Sequence, residues 1–342
     1  VTRLARTDES ARVRWMRRAI TVPGYTIAAA LAVMTIPISV PLVLLHDAVR
    51  RNRWSGARSL LALTHYLVGE ALGIAASGVL WLAARIAPAR ATEWNFRLQC
   101  WWASWLYGGT RLLYGLQMHV RGEAVLRDGP LLMLMRHASV VDTLLPAVLV
   151  SSRTGLQLRY VMKRELLWDP CLDIVGQRLP NAFVRRGQGG SEAEIARVRE
   201  LARNLGPREG VMLFPEGTRF TPRKREQLLA RLASSAEPKL AERGRALRHV
   251  LPPRLGGVLA LLEEAPGVDV AFCVHTGFEN LRTLNDLWNG RLVGRAIDVE
   301  FWRVPAASIP AERDARVAWL FDQWERVDAW LEAHAIGAAA AT

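Results

Sequence analysis

The sequence predicts an α/β body preceded by an N-terminal membrane-embedded helical hairpin, and three observations carry that prediction. Two apolar segments, Ile20 to Leu45 and about Leu60 to Ala84, lie near the start of the chain. Seven of the 13 tryptophans fall before residue 110, and indole rings favour the headgroup level of a bilayer. From about residue 120 short apolar runs alternate with helical stretches, the pattern of an α/β domain.

Residues 1–18 carry six arginines and form a basic N-terminal segment. The apolar segment that follows is too long for a signal-peptide core and long enough for a spanning helix. His65 and Glu70 interrupt the second segment, and the linker "HDAVRRNRWSGAR" between the two holds four arginines. Arginines flank both segments on every side, so two full crossings place a basic cluster on the wrong face. A hairpin returning to the cytoplasmic side, with Pro37 and Pro41 helping to bend it, avoids this conflict; two ordinary spanning helices are the alternative. Residues 91–118, with Trp94, Trp101, Trp102 and Trp105, read as an interfacial helix.

Strands are expected at Leu131–Met135, Leu158–Met162, Ala182–Val184, Val211–Phe214 and Val268–Val274, with helices between them. Ile297, Val299 and Phe301 alternate with polar or partly polar neighbours, as in a half-buried strand near a sheet edge. Over 311–334 the positions of Val317, Leu320, Phe321, Trp324, Val327 and Leu331 share one helical face, which predicts a docked C-terminal helix. The Ala-rich residues 335–342 are expected to be a disordered tail.

The formal charge is +13, and only three of the 45 basic residues are lysine. An arginine excess suits nucleic acid, an anionic membrane surface or a phosphorylated substrate. Nucleic acid is disfavoured, since the chain has no recognisable nucleic-acid-binding motif and carries embedded segments. The three cysteines, Cys100, Cys171 and Cys273, lack metal-ligand spacing and are odd in number, which argues against a disulfide framework.

Two stretches carry chemistry. In "LLMLMRHASVVDTLLP" the residues His137 and Asp142 sit five apart at the end of a strand, with a helix expected to begin near Ser139. An aspartate that reaches one imidazole nitrogen fixes the tautomer and leaves the other nitrogen as a base. Taken alone, the pair reads more readily as a satisfied structural contact. In "VMLFPEGTRF" an apolar strand runs into a turn where Gly217 admits close backbone approach, Thr218 offers a hydroxyl and Arg219 a guanidinium for phosphate. Glu216 would orient that arginine or hold a substrate hydroxyl.

Together "HASVVD" and "FPEGTR" resemble the lysophosphatidic acid acyltransferase family, whose hallmarks are His-x4-Asp followed by Phe-Pro-Glu-Gly-Thr-Arg. The six-residue match at 214–219 is complete, and the resemblance covers roughly residues 115–280. "KRELLWDP" and "LPNAFVRR" look like the family's intermediate segment, which ends in an arginine, here Arg186. "FPEGTRFTPRK", "LPPRLGG" and "VEFWRVP" look like the long-form branch that includes lysocardiolipin acyltransferases. The chain departs from the pattern at Arg136, where the family has Asn, at Arg185, where it has Asp, and in "VDVAFCV", which lacks a proline.

The resemblance implies a mixed sheet flanked by helices, with the catalytic domain at 119–334 and the hairpin at 19–90. It implies transfer of a fatty acyl group from acyl-CoA or acyl carrier protein to the hydroxyl of lysophosphatidic acid. His137 is then the general base and Asp142 its orienting carboxylate. Arg219 holds the acceptor phosphate, Glu216, Gly217 and Thr218 shape the site, and Arg186 and Arg136 are further cations beside it. No metal and no cofactor are implied. The partners are the lysophospholipid, the acyl donor and anionic membrane lipid, on the cytoplasmic side of a bacterial plasma (inner) membrane. A lysocardiolipin or lysophosphatidylinositol acyltransferase and a non-catalytic membrane-binding scaffold are the alternatives.

Overall fold

The computed structural model describes residues 9–139, 141–184, 192–233, 238–279, 281 and 284–340. Packing divides the chain into two units. One comprises Val1–Gln117, Leu144–Gly189 and Asn280–Ala296, the other Met118–Thr143, Gly190–Glu279 and Ile297–Thr342. The expected boundary near residue 118 is therefore crossed more than once, because 144–189 and 280–296 group with the N-terminal helices. Among the described residues there are seven strands: β1 (Gln117–Arg121), β2 (Leu131–Met135), β3 (Gln157–Lys163), β4 (Ala182–Val184), β5 (Glu209–Leu213), β6 (Asp269–His275) and β7 (Ala296–Val304).

The first unit is built on three long helices, α1 (Ala11–Arg50), α2 (Ser55–Ile86) and α3 (Ala91–Tyr114). At 40 residues α1 is about 60 Å long, twice the ~30 Å hydrocarbon core of a bilayer. Both α1 and α2 are long and apolar enough to cross a membrane, and only 6 % of the most apolar stretch of α1 is buried. Met34, Ile38, Leu42 and Leu45 are all exposed on it. A soluble protein would bury such a surface.

The reversal between α1 and α2 departs from expectation. Pro23, Pro37 and Pro41 lie inside a continuous helix. The turn is made at 51–54, where Arg51, Arg53 and Trp54 take positive φ. Asp47 holds that turn: its Oδ2 accepts the Ala57 N–H at 2.8 Å and its Oδ1 the Asn52 side-chain amide at 2.9 Å. Helix α1 begins at Ala11, and Arg17 and Arg18 both grip buried Asp173, at 2.8 and 2.9 Å. Glu70, inside the second apolar segment, accepts from Trp102 Nε1 at 2.8 Å and from the Cys171 N–H at 3.2 Å. The same unit holds the parallel pair β3 and β4, with Val161 opposite Ala182.

Helix α3 stops at Gly115, whose φ of 66° gives the left-handed cap that ends helices. The expected helix 91–118 therefore gives way to strand β1 at Gln117.

In the second unit the strand order is β1-β7-β6-β2-β5. Central β2 pairs parallel with β5 on one side and β6 on the other, and all five of its residues are buried. That explains its unbroken apolar run: a parallel strand covered on both faces has no polar side to show. Antiparallel β7 makes the sheet mixed and shows the alternating burial of a half-exposed strand. The C-terminal helix docks as expected through Leu320, Phe321, Trp324, Val327 and Leu331, all buried, with Trp324 Nε1 donating to the Leu251 carbonyl at 2.9 Å. It spans Arg313–Ala340, so the helix continues through most of the expected disordered tail, as an alanine run readily does.

Candidate active site

Strands β2, β5 and β6 run parallel, with Leu134 opposite both Leu213 and Phe272. Their carboxyl ends therefore meet at one edge of the sheet, where open α/β sheets bind ligands. Three segments leave that edge: 136–139 after β2, 214–219 after β5, and 276–279 after β6.

His137 and Asp142 come together as expected. Nδ1 of His137 lies 3.0 Å from Asp142 Oδ1, while Asp142 Oδ2 accepts the N–H groups of Ala138 (2.6 Å) and Ser139 (2.7 Å). The expected helix from Ser139 is not what positions the aspartate. A single 3-10 turn over Val141–Leu144 does so, because an aspartate that caps its own preceding amides competes with helical bonding. Burial alone would raise the Asp142 carboxyl. The hydrogen bonds and charges of His137 and His275 outweigh burial and hold it well below the usual carboxylate range. Asp142 is fully buried, whereas His137 is 6 % exposed and its Nε2 has no hydrogen-bond partner among the described residues. Phe214 stacks on the imidazole, ring centroids 4.3 Å apart, and so restricts its rotation.

One carboxylate joins the two hallmark segments. Glu216 Oε1 accepts the His137 N–H at 2.8 Å, and its Oε2 accepts the Leu251 N–H at 2.9 Å. The Phe220 N–H returns a bond to the His137 carbonyl at 3.3 Å. Glu216 is fully buried with both oxygens occupied, so the expected contact with a substrate hydroxyl or with Arg219 is replaced by a structural one. Burial pushes its carboxyl up to about 7 against the pull of those two amides and the Arg136 charge. The turn beyond it needs glycine: Gly217 has φ of 64°, and a Cβ there would lie 2.7 Å from Arg254 Cδ. Thr218 and Arg219 are partly exposed on this turn, and Lys224 Nζ donates to Thr218 Oγ1 at 2.8 Å and to the Arg219 carbonyl at 3.3 Å.

Arg136 does not border the site as a free cation. Its side chain is 3 % exposed, and Nη1 bonds the His275 carbonyl at 2.6 Å and Glu279 at 2.7 Å. An arginine neutralised by a carboxylate and a carbonyl is a strut between the segments after β2 and β6. Arg186 lies outside the described residues.

His275 was not expected. It ends β6, is fully buried, and its Nε2 lies 3.5 Å from Asp142 Oδ2 and 3.2 Å from the Arg136 carbonyl. A lone histidine closing an apolar strand has no spacing signal, so only the register of β6 against β2 reveals it. Lys224 and Arg254 lie within longer stretches of the sequence and are given positions only by the fold. The amides of His137, Ala138 and Ser139 are all taken by carboxylates, so none of them is open to stabilise an oxyanion.

Comparison with known proteins points the same way. Residues 117–265 match the family described as Acyltransferase. The 1-acyl-sn-glycerol-3-phosphate acyltransferase epsilon of mouse (Mus musculus) is 23 % identical over 279 residues, covering 77 % of this chain and 74 % of the mouse protein. The crystal structure of the 1-acyl-sn-glycerophosphate (LPA) acyltransferase PlsC from Thermotoga maritima is similar with a TM-score of 0.52 at 12 % identity, covering 81 % of this chain and 97 % of that one. At such identity the second likeness speaks for the fold: a mixed sheet flanked by helices.

Proposed function

We propose that the chain is an acyltransferase of the lysophosphatidic acid acyltransferase type, as its similarity over residues 117–265 supports, and that it acylates the free hydroxyl of lysophosphatidic acid to give phosphatidic acid. The donor is a fatty acyl thioester, acyl-CoA or acyl carrier protein. The observation that carries the reading is the His137–Asp142 pair, fixed by Glu216 against the Thr218–Arg219 turn.

His137 Nε2 takes the proton of the acceptor hydroxyl as its oxygen attacks the thioester carbonyl carbon. The tetrahedral adduct collapses with loss of the C–S bond, and the imidazolium returns the proton to the departing sulfur. Ionised Asp142 holds the tautomer that leaves Nε2 unprotonated and stabilises the cation that forms. A positioned base of this kind contributes about 10²–10⁴-fold. Arg219 holds the acceptor phosphate as a planar fork, and Thr218 adds a hydroxyl beside it.

The apolar hairpin of α1 and α2 anchors the chain in a bilayer, with the catalytic unit on the cytoplasmic side. Arginines at both ends of each segment support a hairpin that does not expose its 46–58 linker to the far side. Labelling of single cysteines in that linker from the outer face would contradict this topology.

An acceptor panel tests the reaction. With one acyl-CoA, thiol release is expected to be fastest with lysophosphatidic acid. Faster release with lysocardiolipin or lysophosphatidylinositol would reassign the acceptor, and no release with any lysolipid would indicate a scaffold.

A further inference from the structure

Several cations of the second unit are neutralised by carboxylates. Arg199 pairs with Glu263 at 2.7 Å, Arg203 with Glu264 at 3.0 Å, Arg243 with Asp322 at 2.7 Å and Arg303 with Asp269 at 2.7 Å. Arg254 differs. It is exposed and has no carboxylate partner among the described residues, yet it is well placed. Its N–H donates to the Pro215 carbonyl at 2.8 Å. Its side chain lies across Gly217, with Cδ and Nε each 2.7 Å and Cζ 3.1 Å from where a Cβ would stand. Glycine at 217 thus serves two needs, the positive φ and the passage of this arginine. Arg254 is also the N-cap of the helix Leu255–Glu264, and its side chain makes no capping bond. The guanidinium is directed over the turn.

The surroundings of Thr218 then hold three cations from three places in the sequence: Arg219 next to it, Lys224 bonded to its hydroxyl, and Arg254 across Gly217. Glu216, on the same turn, is buried with both oxygens spent on amides. So dense a charge exceeds what a phosphodiester, with one negative charge, needs. A phosphomonoester carries about 1.5 to 2 negative charges near pH 7 and three acceptor oxygens.

We propose that Arg254 is a second phosphate-binding arginine, and that with Arg219 and Lys224 it selects acceptors bearing a terminal phosphomonoester over headgroup-bearing phosphodiesters. This rests on the acyltransferase reading of the same site and adds to it a residue outside the Phe-Pro-Glu-Gly-Thr-Arg hallmark. Arginine is required because only its planar fork engages two oxygens while lying flat on the glycine.

The test is equilibrium binding of 1-oleoyl-lysophosphatidic acid and of 1-oleoyl-lysophosphatidylglycerol, in detergent micelles, to the full chain and to its Arg254→Ala and Arg254→Lys variants. Acyl transfer is measured alongside. Arg254→Ala is expected to weaken binding of the monoester by about 10–100-fold, the loss of one charge-assisted contact. The diester is expected to change by less than about threefold, and Arg254→Lys to fall between wild type and Arg254→Ala. Thermal stability should not move, since the side chain is exposed. Equal losses for both lipids, or no loss for the monoester, overturn the proposal. Wild-type protein that binds the monoester but transfers no acyl group would refute the proposed reaction and leave this inference to be decided by the binding data.

Discussion

Each unit buries a carboxylate among apolar residues, and the two are used differently. In the first, Glu70 interrupts an apolar helix and is matched by Trp102 Nε1 and the Cys171 amide. It pins α2 to α3 and to the 170–174 turn, and nothing in that contact is open to a ligand. In the second, Asp142 is as deeply buried and as fully matched, but one of its partners is His137, whose other nitrogen is unengaged. A buried acid is structural when its bonds close on themselves. It becomes chemical when one of its partners is left with a group to spare.

The sharpest way to break the comparison is Asp142→Asn. The amide cannot accept from His137 and from two backbone N–H groups at once, so the tautomer is lost. The transfer rate should fall by up to ~10⁴-fold. A loss under tenfold in kcat would show that the pair is structural after all.

Glu70→Ala probes the other side. It leaves two buried donors unpartnered, at a cost of about 1–3 kcal/mol each. Unfolding in detergent should shift accordingly while kcat per folded molecule stays at the wild-type value. A large kcat loss in the folded fraction would mean that the helices contribute to chemistry.

Glu216 gives a smaller effect with a defined sign. Burial raises its carboxyl to about 7 in the folded chain, above the ordinary glutamate value it has when unfolded. Between those two pKa values the folded state binds more protons, so stability falls as pH rises through that window, by roughly 3 kcal/mol in all. Glu216→Gln should flatten that part of the pH–stability curve; an unchanged slope would contradict the assignment. Asp142 acts in the opposite sense. Its carboxyl is depressed, so its contribution is full above the ordinary aspartate value and is lost only in strong acid.

Much of the fold was legible because its signals are local and apolar. The runs at Leu131–Met135 and Ala182–Val184 form the strands expected of them, and the C-terminal helix docks by the face its spacing marks. What escaped depends on backbone geometry or on distant partners. The left-handed turn at Arg51, Arg53 and Trp54 uses residues that ordinarily avoid positive φ, so nothing in their identity marks it. Asp142 was found, but the short turn that aims it was not, because capping of Ala138 and Ser139 is invisible in a periodicity. Arg136 reads from the sequence as a cation for the substrate, but Glu279, far along the chain, neutralises it. Gly115 is the one missed boundary with a readable cue, a glycine placed where a helix must end.

The central claim is that His137 supplies the base. Thiol release from acyl-CoA in the presence of lysophosphatidic acid, by wild-type chain and by His137→Ala matched for fold and membrane association, tests it most directly. A loss of about 10²-fold or more is the expected result. Release by the variant within a few-fold of wild type would contradict the claim.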